Sequence, residues 1–264
     1  MIIDSTARLE LSAPQKRHIN SMRELWKEAF GDSDEFLDSF FDTAFSPARC
    51  RVALDGDEVL GALYIFDCEY AEKKIAYIYA VATRAKARGQ GICKRLMDDT
   101  HKYLADRGYV GAILVPSEPS LFGFYEKLGY ETCSSIGEFC ADASAESISI
   151  IKIEKEEYKR ARRLFLPKNS VLQEKYNIDF LATYASFYKG NDFVLACYIQ
   201  NDKLRCAELL GNSVHAPAIL RALECATGSF RVPPQNLTAT RTFAMYFSID
   251  RSTRPPEYFG LAFD

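Results

Sequence analysis

The stretch AKARGQGICKRLM, Ala85–Met97, sets two glycines one residue apart among basic residues and then turns at once into a helical pattern. A strand-to-helix loop ending in Gly-x-Gly frees several backbone N–H groups to point at one centre, and the helix N-terminus adds positive potential there. Such a loop suits a diphosphate. Gly89 and Gly91 permit backbone angles and a close approach that a side chain blocks, and Arg88 adds a cation beside the anion. Charge-assisted hydrogen bonds of this kind contribute roughly 1.5–3 kcal/mol each, so three or four hold a diphosphate well. The competing explanation is a tight strand-to-helix turn into which glycines merely fit. The loop is not a Walker A loop, because no Gly-Lys-Ser/Thr follows, and the dinucleotide pattern Gly-x-Gly-x-x-Gly fails at Lys94. ATP and NAD are therefore poor candidates.

Working outward, KKIAYIYAVAT (73–83) reads as the strand entering the loop. Gly91–Asp106 reads as the helix leaving it, with Ile92, Leu96, Tyr103 and Leu104 on one side and Gly108 as its stop. Upstream, RCRVALDGDEVLGALYIFDCEY (49–70) carries strand residues on both sides of Asp-Gly-Asp, a hairpin signal. Residues 18–45 place Met22, Leu25, Trp26 and Phe30, then Phe36, Leu37, Phe40 and Phe41, at helical spacing. The break falls at GDSD, where Ser33 or Asp32 can cap a second helix. Downstream, YVGAILVPS (109–117) is apolar on both faces, as at the centre of a sheet. SLFGFYEKLGYE (120–131) is a short helix stopped at Gly129, and YETCSSIGEFCAD (130–142) reads as closing strands. The order is α-α-β-β-β-α-β-α-β, an α/β (α+β) fold.

At 264 residues the chain exceeds the roughly 100–200 of a usual domain, which points to two domains, with one large domain as the alternative. Small polar residues interrupt the pattern in ADASAESIS (141–149), so the expected division is 1–142 and 150–264. The second part reads as a helix at 154–165, another within 170–188, strands at 193–200 and 204–211, and a helix at 216–227. Strands near 237–247 and at EYFGLAFD (257–264) follow. This order echoes the first part without its glycine loop, so a smaller, degenerate second copy of the same fold is expected.

A net charge of −3 provides no basic field for phosphate backbones, which argues against nucleic acid as a partner. MIIDSTARLELSAPQK (1–16) lacks the basic leader and apolar run of a signal peptide, and no stretch reaches the 18 or so apolar residues of a membrane span. A cytoplasmic protein without membrane contact is the expectation. Eight cysteines are scattered singly and only three histidines exist, so neither a disulfide framework nor a metal site is suggested.

VATRAKARGQGICKRLM (81–97) resembles motif A of the GCN5-related N-acetyltransferases (GNAT), whose pattern [QR]-x-x-G-x-[GA] receives the pyrophosphate of acetyl-coenzyme A. PSEPSLFGFYEKLGYE (116–131) resembles the same family's motif B. The resemblance spans roughly residues 16–140 and implies a mixed sheet that splays after the third strand of the meander. It implies that the backbone of Val81, Ala82 and Thr83 binds the pantetheine arm, and that the amides of Arg88, Gly89, Gln90, Gly91, Ile92 and Cys93 hold the pyrophosphate. Lys86 stands where the family prefers Gln or Arg, and Glu118 falls near a frequent Asn. Acetyl-CoA is the expected co-substrate, with no metal.

Acetyl transfer to an amine needs the amine neutral, the oxyanion stabilised and a proton for the leaving thiolate. Tyr125 matches the family's general-acid tyrosine, and a phenol with an ordinary pKa of roughly 10 keeps its proton at neutral pH. The plainer alternative is one more core aromatic among 15 tyrosines. Tyr79 aligns with the strand Glu that many members carry, and Tyr77 lies on the same face; neither is a base at pH 7, so a water chain can serve instead. VPSEPSLFGFYEKLGYE (115–131) also resembles the enhanced-intracellular-survival acetyltransferases, in which the C-terminal carboxylate reaches the site. That resemblance places Asp264 as a catalytic candidate, against a solvated terminal edge strand.

Asp32, Asp34, Glu35 and Asp38 either line an amine-binding cleft or form a solvated helix face. The expected function is an acetyl-CoA-dependent N-acetyltransferase acting on a primary amine of a small molecule. A non-catalytic acyl-CoA-sensing or partner-binding protein and a protein N-acetyltransferase stand as alternatives, and a homodimer is compatible with each.

Overall fold

The computed structural model describes residues 9–234 and 240–263. A short strand, β1 (Glu10–Ser12), leads into α1 (Ile19–Phe30) and α2 (Asp34–Thr43). α1 buries Met22, Leu25 and Trp26 and ends at Gly31, whose φ of 74° takes the left-handed turn that stops the helix. Of the two expected caps for α2, Ser33 serves, its Oγ accepting the Phe36 N–H at 3.3 Å. Asp32 accepts instead from the Trp26 indole N–H at 2.8 Å.

An antiparallel meander follows: β2 (Cys50–Asp55), β3 (Glu58–Tyr70) and β4 (Lys73–Thr83). The glycine loop then leads through α3 (Ile92–Ala105) to β5 (Gly111–Leu114), which is parallel to β4. α4 (Phe122–Glu126) precedes β6 (Glu131–Asp142), one long strand where a set of closing strands was expected.

Beyond β6 come β7 (Ile151–Ile153), α5 (Lys155–Phe165), β8 (Leu172–Gln173), α6 (Tyr176–Leu181) and β9 (Ser186–Lys189). The expected helix within 170–188 is thus shortened to α6, flanked by β8, which pairs with β3, and by β9, which pairs with β7 and β10. The left-handed backbone at Lys175 (φ 48°) and a chain apolar on several faces break the helical period there. A second meander, β9–β10 (Phe193–Gln200)–β11 (Lys203–Gly211), is joined through α7 (Ala216–Ala222) to β12 (Thr227–Val232), which is parallel to β11. The second half therefore repeats the meander, crossover helix and parallel strand of the first. β13 (Thr240–Ser248) completes a thirteen-stranded sheet.

The sheet order runs β1-β2-β3-β4-β5-β13-β6-β12-β11-β10-β9-β7, with β8 on β3. β5 takes as its outer neighbour β13, from the far end of the chain, and β12 takes β6, from the first half. β6 pairs with β13 along residues 131–137 and with β12 along 137–142, so each half is closed by a strand of the other. Alternation along the strands divides the core. Ile75 and Tyr77 of β4 and Val194 and Ala196 of β10 face one apolar layer shared by α1, α2, α5 and α6. Ala76 and Ile78 face a separate core under α3 and α4, and Leu195 and Cys197 face a third under α7.

EYFGLAFD was expected as a strand, yet among its described residues only Tyr258 makes a bridge, to Ser170. The segment instead runs irregularly through the shared layer, with Tyr258, Phe259 and Leu261 buried. Its anchor is a buried ion pair. Arg162 of α5 reaches Glu208 of β11 in a bidentate contact, Nε–Oε2 2.6 Å and Nη2–Oε1 3.0 Å, and Tyr258 donates to Oε1 at 3.1 Å. Both charges are withdrawn from water, at 1% and 0% exposure. Gly260 is required beside them, because a Cβ there would lie 2.0 Å from the Tyr258 hydroxyl.

Glu208→Ala strands the Arg162 guanidinium in the apolar layer and should destabilise the protein by about 3–5 kcal/mol in denaturant unfolding, whereas an exposed pair such as Lys94–Asp98 should cost little when broken. A second expectation concerns pH. His101 of α3 stacks on Phe247 of β13 at 3.9 Å and hydrogen-bonds the Tyr130 hydroxyl at 2.9 Å, and burial lowers its pKa from 6.5 to about 4. The unfolded chain therefore takes up the proton first. The stability this neutral ring supplies is complete above pH 6.5 and is lost as pH falls towards 4, by roughly 3 kcal/mol. Unfolding curves of His101→Gln should show a shallower decline across that window.

Candidate active site

β4 carries the first feature of the site. Tyr79 pairs with Tyr64 and Ala82 with Ala62, so Ala80 and Val81 together face Leu63 in a bulge. Ala80 adopts the left-handed φ of 48° that alanine rarely takes, a local strain of the kind concentrated at functional sites. The parallel pairing of β4 with β5 runs from Ile75–Gly111 to Tyr77–Ile113 and stops, although β4 continues to Thr83. The two strands part there, and Val81, Ala82 and Thr83 lie on an edge that no described strand covers.

The loop lies at the mouth of this gap. A short 3₁₀ turn at Ala85–Ala87 precedes Gly89 (φ 76°) and Gly91 (φ 74°), and no atom lies within 4 Å of where a Cβ on either would stand. Glycine is needed there for backbone angle, and the space beside it is open. α3 starts without a side-chain cap and without an acidic residue in its first turn. Among the described residues, the N–H groups of Gly89, Gln90, Gly91, Ile92 and Cys93 find no acceptor, so five donors gather at one helix N-terminus. The Arg88 amide differs from expectation: it donates to Ala85 O at 3.3 Å, and its Nε donates to Thr83 O at 3.2 Å.

The loop is held from α1. The Glu28 carboxylate accepts the Ala85 N–H at 2.6 Å and an Arg84 N–H at 3.0 Å, and these bonds hold its pKa below the usual carboxylate range. Arg84 also donates to Ser21 O and Val59 O. Lys86 pairs with Glu58 at 2.7 Å. No motif marks Glu28 in the sequence, because its partner lies far along the chain.

Tyr125 sits on α4 in the core shared with α3, 7% exposed, with its ring 5.8 Å from Tyr130. Burial, and then the nearby Cys93, push its phenol well above the ordinary value, so the proton stays on. Its hydroxyl has no hydrogen-bond partner among the described residues. Burial also lifts the Cys93 thiol to about 11, which keeps it neutral and unreactive.

On the opposite face, Tyr77 and Tyr79 enter an aromatic cluster. Tyr79 lies 5.6 Å from Trp26 and 5.7 Å from Phe263, and the Tyr77 hydroxyl accepts the Phe263 N–H at 3.4 Å. Phe180 of α6 stands 5.3 Å from Phe263, so α1, α6 and the 258–263 segment meet beside β4. Asp264 falls outside the described residues. Asp34 pairs with Lys27 and Arg23, and Asp38 with Arg23, so these carboxylates are met by cations of α1.

Residues 10–133 match the family model of the acetyltransferase (GNAT) domain. No curated protein matches the sequence at a significant level. Among solved structures, a GCN5-related N-acetyltransferase from Kribbella flavida is similar over 94% of this chain and 73% of its own, at 15% identity and a TM-score of 0.72. Eis1 from Mycobacterium abscessus is similar over 92% and 74%, at 14% identity and 0.67. A tandem GNAT protein from the clavulanic acid biosynthesis pathway is similar over 92% and 99%, at 11% identity and 0.57. Identities this low carry fold alone, and they extend it to both halves of the chain. The parted strands and the glycine loop both lie within residues 10–133, the part of this chain that matches the GNAT acetyltransferase domain.

Proposed function

We propose that this protein is an acetyl-CoA-dependent N-acetyltransferase that moves the acetyl group to a primary amine of a small molecule by direct attack on the thioester. The family supports acyl transfer from acetyl-CoA in general. The observation that carries the reading is the set of five unpartnered N–H groups from Gly89 to Cys93, around two open left-handed glycines, at the mouth of the β4–β5 gap. These amides take the diphosphate, with Arg88 contributing its guanidinium while its amide stays in the turn. The edge of Val81, Ala82 and Thr83, which no described strand pairs, takes the pantetheine amides as an added strand would.

Tyr125 acts as the acid. As the C–S bond breaks, its hydroxyl gives a proton to the leaving sulfur, and burial keeps that proton available through the neutral range. The incoming nitrogen approaches from the Tyr79 side and loses its proton to water, with Asp264 as the carboxylate candidate that the family resemblance offers. The working division is 1–142 for the cofactor-binding part and 150–264 for the second, which returns β13 to the first. Among the described residues no helix is long and apolar enough to cross a membrane, and a cytoplasmic location belongs to the same proposal. A second reading, acyl-CoA binding without turnover, is favoured by Tyr79 occupying the place of the strand carboxylate.

Acetyl-CoA at about 100 times its Kd should add roughly 2.7 kcal/mol, raising Tm by several degrees, and Gly89→Trp should abolish that shift. An unchanged melt in millimolar acetyl-CoA would remove the cofactor assignment. Thiol release against a panel of primary amines should find an acceptor, and Tyr125→Phe should then lower kcat about 10²-fold or more with little change in KM for acetyl-CoA. Binding without thiol release on any amine would favour the second reading.

A further inference from the structure

α1 presents two stripes to the rest of the first half. Met22, Leu25 and Trp26 form the buried one, and the Trp26 ring lies 5.6 Å from Tyr79 of β4. Ser21, Glu24 and Glu28 recur at i, i+3 and i+7 and form a second, polar stripe. All three accept hydrogen bonds from Arg84, the residue that follows β4: Ser21 through its carbonyl at 3.0 Å, Glu24 at 3.3 Å and Glu28 at 3.0 Å. The Ser21 hydroxyl also accepts the Val59 N–H at 3.0 Å, which ties the stripe to the start of β3.

Glu28 reaches one residue further and takes the Ala85 N–H at 2.6 Å. That amide opens the 3₁₀ turn Ala85–Ala87, and Arg84, at the cap position of the turn, caps no N–H with its own side chain. The first N–H groups of a helical turn have no carbonyl within it to bond, so an oxygen supplied there fixes where the turn begins. Glu28 supplies it from α1. The Ala87 N–H to Arg84 O at 2.9 Å and the Arg88 N–H to Ala85 O at 3.3 Å then close the turn, and the chain enters Gly89 with its direction set.

Charge and position make opposite demands on this carboxylate. The Ala85 N–H and Arg84 keep it ionised, with the Arg88 charge adding to them, so a negative group stands beside a loop suited to a diphosphate. By Coulomb's law alone its removal strengthens anion binding, so a weakening reports lost positioning. We infer that Glu28 is a positioning residue for the cofactor, capping the 85–87 turn so that the N–H groups of Gly89–Cys93 are gathered before the diphosphate arrives. The inference rests on the acetyl-CoA reading of the loop.

The test is calorimetric titration of the full chain with acetyl-CoA at fixed ionic strength, for the wild type and three variants. Glu28→Gln keeps an oxygen at the same reach for the Ala85 N–H and loses the charge. Glu28→Asp keeps the charge and falls one methylene short, and Glu28→Ala loses both. Kd should rise roughly tenfold or more in Glu28→Asp and Glu28→Ala, as loss of a charged hydrogen bond that pre-organises the site requires, and stay within about threefold of the wild type in Glu28→Gln. Melting temperatures of the free variants should stay within about 2 °C of the wild type, because an exposed ion pair contributes little to stability. Against any amine the chain acetylates, KM for acetyl-CoA should follow Kd while kcat holds, since neither Tyr125 nor the thioester is touched. Wild-type or tighter binding in Glu28→Ala or Glu28→Asp, or equal losses in Glu28→Gln and Glu28→Ala, overturns the inference and leaves the cofactor assignment standing. Affinity that falls only alongside a lowered melting temperature overturns it in favour of a structural role. A wild type that takes up no acetyl-CoA overturns both readings.

Discussion

The antiparallel pairing of β6 with β13 is the constraint on which the rest of the molecule depends. β5 is only four residues long, and without β13 its outer edge would expose unpaired N–H and C=O groups at the centre of the sheet. β12 stands in the same relation to β6. Because each half is closed by a strand of the other, the first half is incomplete until residues 240–248 have docked. The stacking of Phe247 on His101 then seals β13 against α3, the helix that begins at the glycine loop.

That closure explains how a gap can persist between β4 and β5. The bulge at Ala80 and Val81 turns β4 away, and β13 satisfies β5 from its other side, so the strands part without leaving β5 unsupported. The glycine loop and the aromatic cluster of β4 consequently fall on different surfaces. The loop and Tyr125 belong to the core under α3 and α4, whereas Tyr77 and Tyr79 belong to the layer shared with α5, α6 and the 258–263 segment. The second half thus contributes the aromatic wall beside β4, and the Arg162–Glu208 pair sets the path of that wall.

The second half keeps the backbone plan of the first, including a bulge beside the point where its parallel strands diverge, and has replaced the chemistry. Where the first half has glycines and free amides, the second has a helix of 7 residues and no Gly-x-Gly loop. A common backbone geometry leaves a cleft at the same topological position, and the side chains around it decide what the cleft attracts.

Local features were legible in the sequence because their causes are local. Gly89 and Gly91 announce their left-handed angles, Ser33 its cap, Gly31 a helix stop, and the Asp-Gly-Asp turn its hairpin, since each depends on a few neighbouring residues. The meander and the loop followed from such signals. Only the tertiary structure decided that β13 lies between β5 and β6, that Glu28 grips the loop, and that residues 258–263 run as buried irregular chain. Those outcomes rest on partners distant along the chain. A segment apolar on every face, such as 258–263, has no period from which strand or coil could be chosen, so the packing around it makes the choice.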